Sequence, residues 1–276
     1  MNELVDLYEN KMLSIIAISK RTGIPRDTIR TRLHRLGVKL RPKGRYKTYN
    51  FNEEFFANPN LLNSYWAGFI AADFGLCRHR GKRKCSELSC SLAKKDKKQL
   101  ERFMSDIGHF SPVRVRQRTR NGTKVFTAEI SITSSKMLDD LQNNFNVCAG
   151  NKIKRLCPPN LTRECRLSFI VGYIDGDGWL QYKKYLNLGV CGTCEMVTWI
   201  KDSLDNELSK VGIKGYTGKV VNRNNLSVWR ANIHSWYLAE LLDGIPVVKL
   251  SRKIPRIHEY KELHKGRFRR SDKCPL

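Results

Sequence analysis

No run of 18 apolar residues occurs in this sequence, so no segment is long and hydrophobic enough to cross a bilayer as a helix. The first residues, MNELVDLYEN, carry neither a basic lead nor an apolar stretch and do not read as a signal peptide. The expectation is a protein that is not secreted and works in the cytoplasm, on the nucleoid or in an organelle matrix. Acidic residues are scarce: 26 Asp and Glu face 51 Lys and Arg in 276 residues, a formal net charge of +25. Such a field calls for a polyanionic partner, and nucleic acid is the default. An anionic membrane is the competitor, but the basic residues do not gather on one face of an amphipathic helix, so no membrane partner is expected. Cysteine is present in an odd number, nine, which fits reduced thiols better than a disulfide framework. Two pairs raise zinc, Cys191 with Cys194 and Cys85 with Cys90. A second pair at finger-like spacing is missing, and these residues sit in strand-like sequence as small hydrophobes, so zinc is disfavoured.

With 41% hydrophobic residues the chain can bury one or two sizeable cores. The first segment, 1–37, reads as short helices with tight breaks. Ser14 to Thr22 is helical, Gly23, Ile24 and Pro25 make a turn, and Arg26 to Leu36 places Ile29, Leu33 and Leu36 on one side before Gly37 ends the helix. This arrangement resembles the helix-turn-helix DNA readers, whose second helix enters the major groove. The resemblance points to Thr28, Arg30, Thr31 and His34 as base-facing. A plain helical hairpin with a solvated basic face is the alternative. Residues 38–50 lose periodicity and carry Lys39, Arg41, Lys43, Arg45 and Lys47 around Pro42 and Gly44. They read as a basic linker, either laid along phosphates or simply solvated.

The rest of the chain repeats itself. Trp66 to Phe74 and Ile170 to Gly178 are both apolar, helical and rich in small residues, with Gly68 matching Gly172 and Asp177 standing 104 positions after Asp73. Other features recur in the same order. A strand pair follows each aspartate (76–92 and 179–191), and a charged helix follows each pair (95–107 and 195–211). A second hairpin comes next, turning at Asn121-Gly122 in one copy and at Asn224-Asn225 in the other. Each copy ends with a helix (134–144, 235–242) and a basic stretch running to proline, Lys152 to Pro158 and Lys249 to Pro255. The predicted order in each half is αββαββα.

These paired helices, in this order of elements, resemble the single-chain, two-motif LAGLIDADG homing endonucleases over about residues 51–258. The second motif, Ile170 to Gly178, matches strongly. The first departs at Ala71, a position that varies in the family, and at Phe74, where glycine is expected. The predicted fold class is therefore α+β: a pseudo-two-fold duplicated αββαββα body with two antiparallel, saddle-like sheets, behind a small all-α helix-turn-helix domain. The expected domains are 1–37, the linker 38–50, a first repeat 51–158, a second repeat 159–258 and a basic tail 259–276.

The small residues Gly68 and Ala72, and Gly172 and Gly176, lie four apart, so one face of each helix lacks bulk and two such helices can pack almost backbone to backbone. That contact would bring Asp73 and Asp177 side by side. Close carboxylates repel unless a cation sits between them, which suits Mg²⁺, with Mn²⁺ as a substitute. The resemblance implies a monomeric, site-specific double-strand DNA endonuclease with a long target, metal held by Asp73 and Asp177, and a basic residue beside each metal. The internal alignment assigns that role to Lys152 and Lys249, with Lys154, Arg252 and Lys253 as alternatives. The resemblance also implies that the sheets straddle the major groove, where alternate residues read bases or grip phosphates: Arg78, Arg80, Lys82, Arg83, Arg114, Arg116 and Arg118 in the first half, and Gln181, Lys183, Lys219, Arg223 and Arg230 in the second. A charged edge strand that resists aggregation would also explain Arg114, Arg116 and Arg118. The residues Lys261, Lys265, Arg267, Arg269, Arg270 and Lys273 read as a disordered basic tail.

Two other readings stay open. On one, the scaffold is catalytically silent or only nicks DNA, a regulator or an intron maturase that binds intron RNA; Phe74 favours it, since a ring at the glycine position would push the helices apart. On the other, a helix-turn-helix regulator carries an unrelated ligand-binding body, which would not need the repeated Asp and Lys-to-Pro features. The ends show no terminal His-Asn pair and no initiating Cys or Ser for peptide splicing, so the expectation is a free-standing or intron-encoded protein.

Overall fold

The computed structural model describes residues 3–41, 51–79, 85–151, 157–158, 160–182, 186–212, 220–222, 229–233 and 241–247. The chain divides into two compact units, one formed by Met1–Asn52 with Met104–Pro112, the other by Glu53–Phe103 with Val113–Leu276. No helix among the described residues is long and apolar enough to cross a membrane.

In the first unit a short helix α1 (Glu3–Val5) continues into a π-helical turn (Asp6–Asn10), followed by α2 (Ile15–Thr22) and α3 (Arg26–Arg35). Ser14 caps α2 by accepting from the Ala17 amide, and Gly23 ends it at φ +72, a left-handed conformation that favours glycine. Ile18, Ile29 and Leu33 are fully buried and close a core with Leu4, Leu7, Tyr8 and Val38. Two residues of the expected linker therefore belong to this unit. Val38 is a core residue, and the guanidinium of Arg41 stacks 4.0 Å from the centre of the Tyr8 ring while donating to the Met12 carbonyl at 2.9 Å. Arg41 does not lie free for phosphates, because Tyr8 and the ends of the neighbouring turns satisfy its donors and its face.

The duplication lies in the second unit except for the end of one helix, which falls in Met104–Pro112. Its first half runs α4 (Leu61–Asp73), β1 (Gly75–His79), β2 (Cys85–Ala93), α5 (Lys97–Asp106), β3 (Arg114–Arg120), β4 (Thr123–Thr133) and α6 (Ser135–Phe145). Its second half runs α7 (Arg163–Asp177), β5 (Gly178–Tyr182), β6 (Leu186–Gly192), α8 (Cys194–Lys210), β7 (Val221–Asn222) and β8 (Trp229–Ile233), and residues 241–243 are helical again. Each half forms a four-stranded antiparallel sheet of the same topology, β1-β2-β4-β3 and β5-β6-β8-β7. The α+β duplication read from the sequence is the architecture. The turn between β3 and β4 follows from Asn121 at φ +49 and Gly122 at φ +76, two consecutive left-handed residues that match the twist of the flanking strands.

The two motif helices start earlier than their apolar cores suggest. Asn60 and Asn63 cap α4 reciprocally, each side chain accepting from the other's amide, and Thr162 caps α7 by accepting from Cys165. Residues 63–72 of α4 are all buried, as are 167–175 of α7. Helices buried on every side carry little amphipathic periodicity, which is why their first turns are hard to read from sequence.

Candidate functional site

The helices α4 and α7 approach closely enough for backbone to meet backbone. A Cβ built on Gly68 would stand 1.9 Å from the Phe169 carbonyl oxygen, and one on Gly172 would stand 1.9 Å from that of Tyr65. Real Cβ atoms do not tolerate such distances, so both glycines are required by the contact. The approach persists to the ends of the helices, where a Cβ on Gly176 would lie 2.3 Å from Ala72 Cβ and 3.3 Å from Asp73 Oδ2. Asp73 and Asp177 are the last residues of α4 and α7, and both are half-buried. The carboxylate of Asp73 thus abuts Gly176, the residue immediately before Asp177.

Phe74 does not push the helices apart. Its side chain is fully buried and packs edge-on against Phe69 and Phe103, with ring centres 6.2 and 5.4 Å away. It fills the first half's own core, where α4 leads into β1. In the second half the same position must be glycine, since a Cβ on Gly178 would come within 2.6 Å of the Ile174 carbonyl oxygen.

Electrostatically, the foot of the helix pair is a negative spot in a basic chain. Each helix C-terminus presents unsatisfied carbonyls and the negative end of its dipole, and here two such ends carry two aspartates. Thiols relieve part of that: Cys191 Sγ donates to the Asp177 carbonyl at 3.1 Å, and Cys90 Sγ lies 3.8 Å from the Asp73 carbonyl. Neither role was legible from sequence, where both cysteines read as small buried hydrophobes; the signal was their recurrence in the strand that follows each motif. Among the described residues no group of three or more His, Cys, Asp or Glu gathers to hold a metal ion.

Arg114, Arg116 and Arg118 lie on the exposed face of β3, while Ala128, Ile130 and Ile132 of β4 turn to the core. Glu129 organises this face. Arg118 Nη2 lies 2.6 Å from Glu129 Oε1 and Arg116 Nε 3.4 Å from Oε2, while the Thr127 hydroxyl donates to Oε1 at 2.9 Å. Burial pushes the Glu129 carboxyl up, but these hydrogen bonds and the two guanidiniums outweigh it and hold the group below the usual carboxylate range. Arg78, on β1, bonds Asp139 of α6 at 2.7 Å and reaches Gln142 at 3.3 Å. On α3, Arg30, Thr31 and His34 are exposed and Thr28 half-buried; Arg30 pairs with Asp27 at 3.1 Å, and the Thr31 hydroxyl donates to the Asp27 carbonyl at 2.9 Å. Gln181 falls on β5 and Arg230 on β8. Arg80, Lys82, Arg83, Lys152, Lys183, Lys219, Arg223 and Lys249 lie outside the described residues, as does the tail.

No family model matches the sequence, and no curated protein matches it. Solved structures do match. The chain is similar to the homing endonuclease I-WcaI bound to its DNA recognition sequence, with 16% identity, a TM-score of 0.50, and 78% of this chain and 94% of that one covered. It is also similar to the LAGLIDADG meganuclease I-AabMI bound to uncleaved DNA, at 12% identity and TM-score 0.42, and to the I-LtrWI LAGLIDADG homing endonuclease bound to target DNA, at 13% and 0.42. Each of these two alignments covers 75% of this chain and 91% of the other. At such identities the likeness is one of fold: over about three quarters of its length the chain has the fold of the LAGLIDADG homing endonucleases.

Proposed function

We propose that the protein is a site-specific double-strand DNA endonuclease that acts as a monomer, its two halves supplying one active site each. Fold alone does not carry this, since scaffolds outlive their chemistry. The observation that carries it is the Asp73 carboxylate set beside Gly176, the residue before Asp177, where two helices in backbone contact end, in a chain of net charge +25. Supporting it, the structure it resembles at a TM-score of 0.50 is a homing endonuclease bound to its DNA recognition sequence.

On this reading Asp73 and Asp177 hold Mg²⁺, for which Mn²⁺ substitutes. Bound there, the ions supply charge neutralisation at phosphorus and a water of lowered pKa. The chain's own residues do the rest. The helix ends fix the two carboxylates, and Arg114, Arg116 and Arg118 present a positive strand face to the DNA backbone and base edges. Lys152 and Lys249 are assigned to the active sites, polarising water or gripping phosphate, and the outer face of α3 extends the contact through Thr28, Arg30, Thr31 and His34. The catalytically silent alternative drew its support from Phe74, and the packing of that ring within the first half's core removes the objection.

Cleavage of a randomised DNA library in Mg²⁺ by the intact chain, by Asp73→Asn and by Asp177→Asn tests the reading. Double-strand cuts lost in both variants are expected. Full activity in Asp177→Asn would overturn the mechanism.

A further inference from the structure

Asp175 lies two residues before Asp177 on α7 and is only 4% exposed. The Tyr65 hydroxyl of α4 donates to Asp175 Oδ2 at 2.8 Å, across the contact between the halves, and accepts in turn from the Gln99 side-chain amide on α5. Tyr65 and Gln99 are buried as well. The duplication makes this arrangement informative. At the 104-position offset that relates the two motifs, Tyr65 falls on Phe169 and Asp175 falls on Ala71. The hydroxyl and the carboxylate are thus both missing from the symmetry-related place, where Phe169 and Ala71 have no atoms with which to form such a bond. Either group alone would be buried without this partner, so a change at one position favours the matching change at the other. Each side is chemically self-consistent, and the two sides differ.

Around this pair glycine meets backbone, and near the start of α4 the Ser168 hydroxyl of α7 also donates to the Leu61 carbonyl. A buried directional polar bond is the kind of feature that fixes register. We propose that Tyr65 and Asp175 form a one-sided latch, a pair of positioning residues that hold the last turn of α7, and with it Asp177, against the first half. The matching place before Asp73 has no such pair, because Ala71 and Phe169 stand there. For its effect on cleavage the proposal rests on the nuclease reading: the strand cut through Asp177 should depend on the latch and the strand cut through Asp73 should not.

Tyr65→Phe removes one oxygen and keeps the ring. Hydrogen exchange is followed at residues 174–178 and 70–74, and nicking of each strand is timed on a target selected from the library, with Asp177→Asn identifying which strand belongs to which aspartate. In Tyr65→Phe, exchange at 174–178 is expected to rise about tenfold while 70–74 stays within about twofold, and the strand cut through Asp177 is expected to slow about tenfold against the other. Asp175→Asn, which keeps an acceptor oxygen, should show a smaller change in the same direction. Equal acceleration at both helix ends, or none at either, overturns the latch. An intact chain that cuts no DNA would overturn the nuclease reading and leave the exchange result to decide the latch.

Discussion

Asp73 Oδ2 lies 3.3 Å from the point that a Cβ on Gly176 would occupy, so the residue before one aspartate forms part of the wall against the other. Gly176→Ala therefore puts a methyl group against both Ala72 Cβ and the Asp73 carboxylate. Overpacking of this kind costs about 1–3 kcal/mol. Gly68→Ala and Gly172→Ala should cost more, because their methyl groups would meet backbone oxygens at 1.9 Å, which yield only if a whole helix shifts. Thermal melts should rank Gly176→Ala as the mildest of the three. Gly176→Ala should nonetheless lose cleavage, since the displaced atom is a carboxylate of the site. Melting unchanged in Gly68→Ala would show that the helices are not in backbone contact.

Phe74 occupies a position where the second half has glycine, and the two positions answer to different neighbours. Restoring the motif's glycine by Phe74→Gly should not improve the protein. It should empty a fully buried site beside Phe69 and Phe103 and destabilise the fold by about 3–5 kcal/mol. Denaturant unfolding measures this directly. A variant as stable as the parent and faster at cutting would mean that the ring obstructs the site.

What the sequence disclosed of this architecture was whatever is encoded within a few residues or repeated along the chain. The Asn121-Gly122 turn, the Ser14 and Gly23 boundaries of α2 and the small-residue spacing of the motif helices are local, and the structure bears them out. The first turns of α4 and α7 leave little trace in the sequence, because helices buried all round lack a polar face to mark their period. Arg41 was misread because the ring it stacks on, Tyr8, is 33 positions away and the charges around it look like a tether. The Tyr65–Asp175 bond spans 110 positions and becomes visible only when the register of α4 against α7 is known. That Asp73 and Asp177 stand at matching helix ends was legible because the repeat itself announces it.

Glu207 of α8 should make the stability of the second half depend on pH. Its side chain is 1% exposed, and it accepts from Arg163 Nε at 2.7 Å and Lys210 Nζ at 2.9 Å. Burial pushes its carboxyl up, yet the bonds from Arg163 and Lys210 outweigh burial and bring it below the usual glutamate value. A group held lower when folded than when unfolded contributes stability that is fully present above the unfolded value, about pH 4.3, and is lost as pH falls through the folded one. Melting temperature should therefore drop below about pH 4 in the intact chain. Glu207→Gln should be less stable at neutral pH, with a shallower decline below that point. Parallel pH profiles for the two proteins would contradict the assignment.

The basic face of β3 can be tested without knowing the target. If Arg114, Arg116 and Arg118 meet phosphates, each contact displaces counterions, and the logarithm of the DNA-binding constant falls with the logarithm of salt by about 0.9 per contact. Replacing all three with alanine should weaken binding to a random duplex and flatten that slope by roughly two to three, read by fluorescence anisotropy across a salt series. Glu129→Gln separates two roles for its partners. Glu129 now shares its carboxylate between Arg116 and Arg118, so removing the charge frees both guanidiniums for phosphate. If the pair reads base edges, nonspecific affinity should rise and discrimination between selected and random DNA should fall, because the two side chains lose their fixed orientation. A triple variant whose salt slope matches the parent's would show that β3 stays off the backbone, and would assign its charges to keeping an edge strand from pairing.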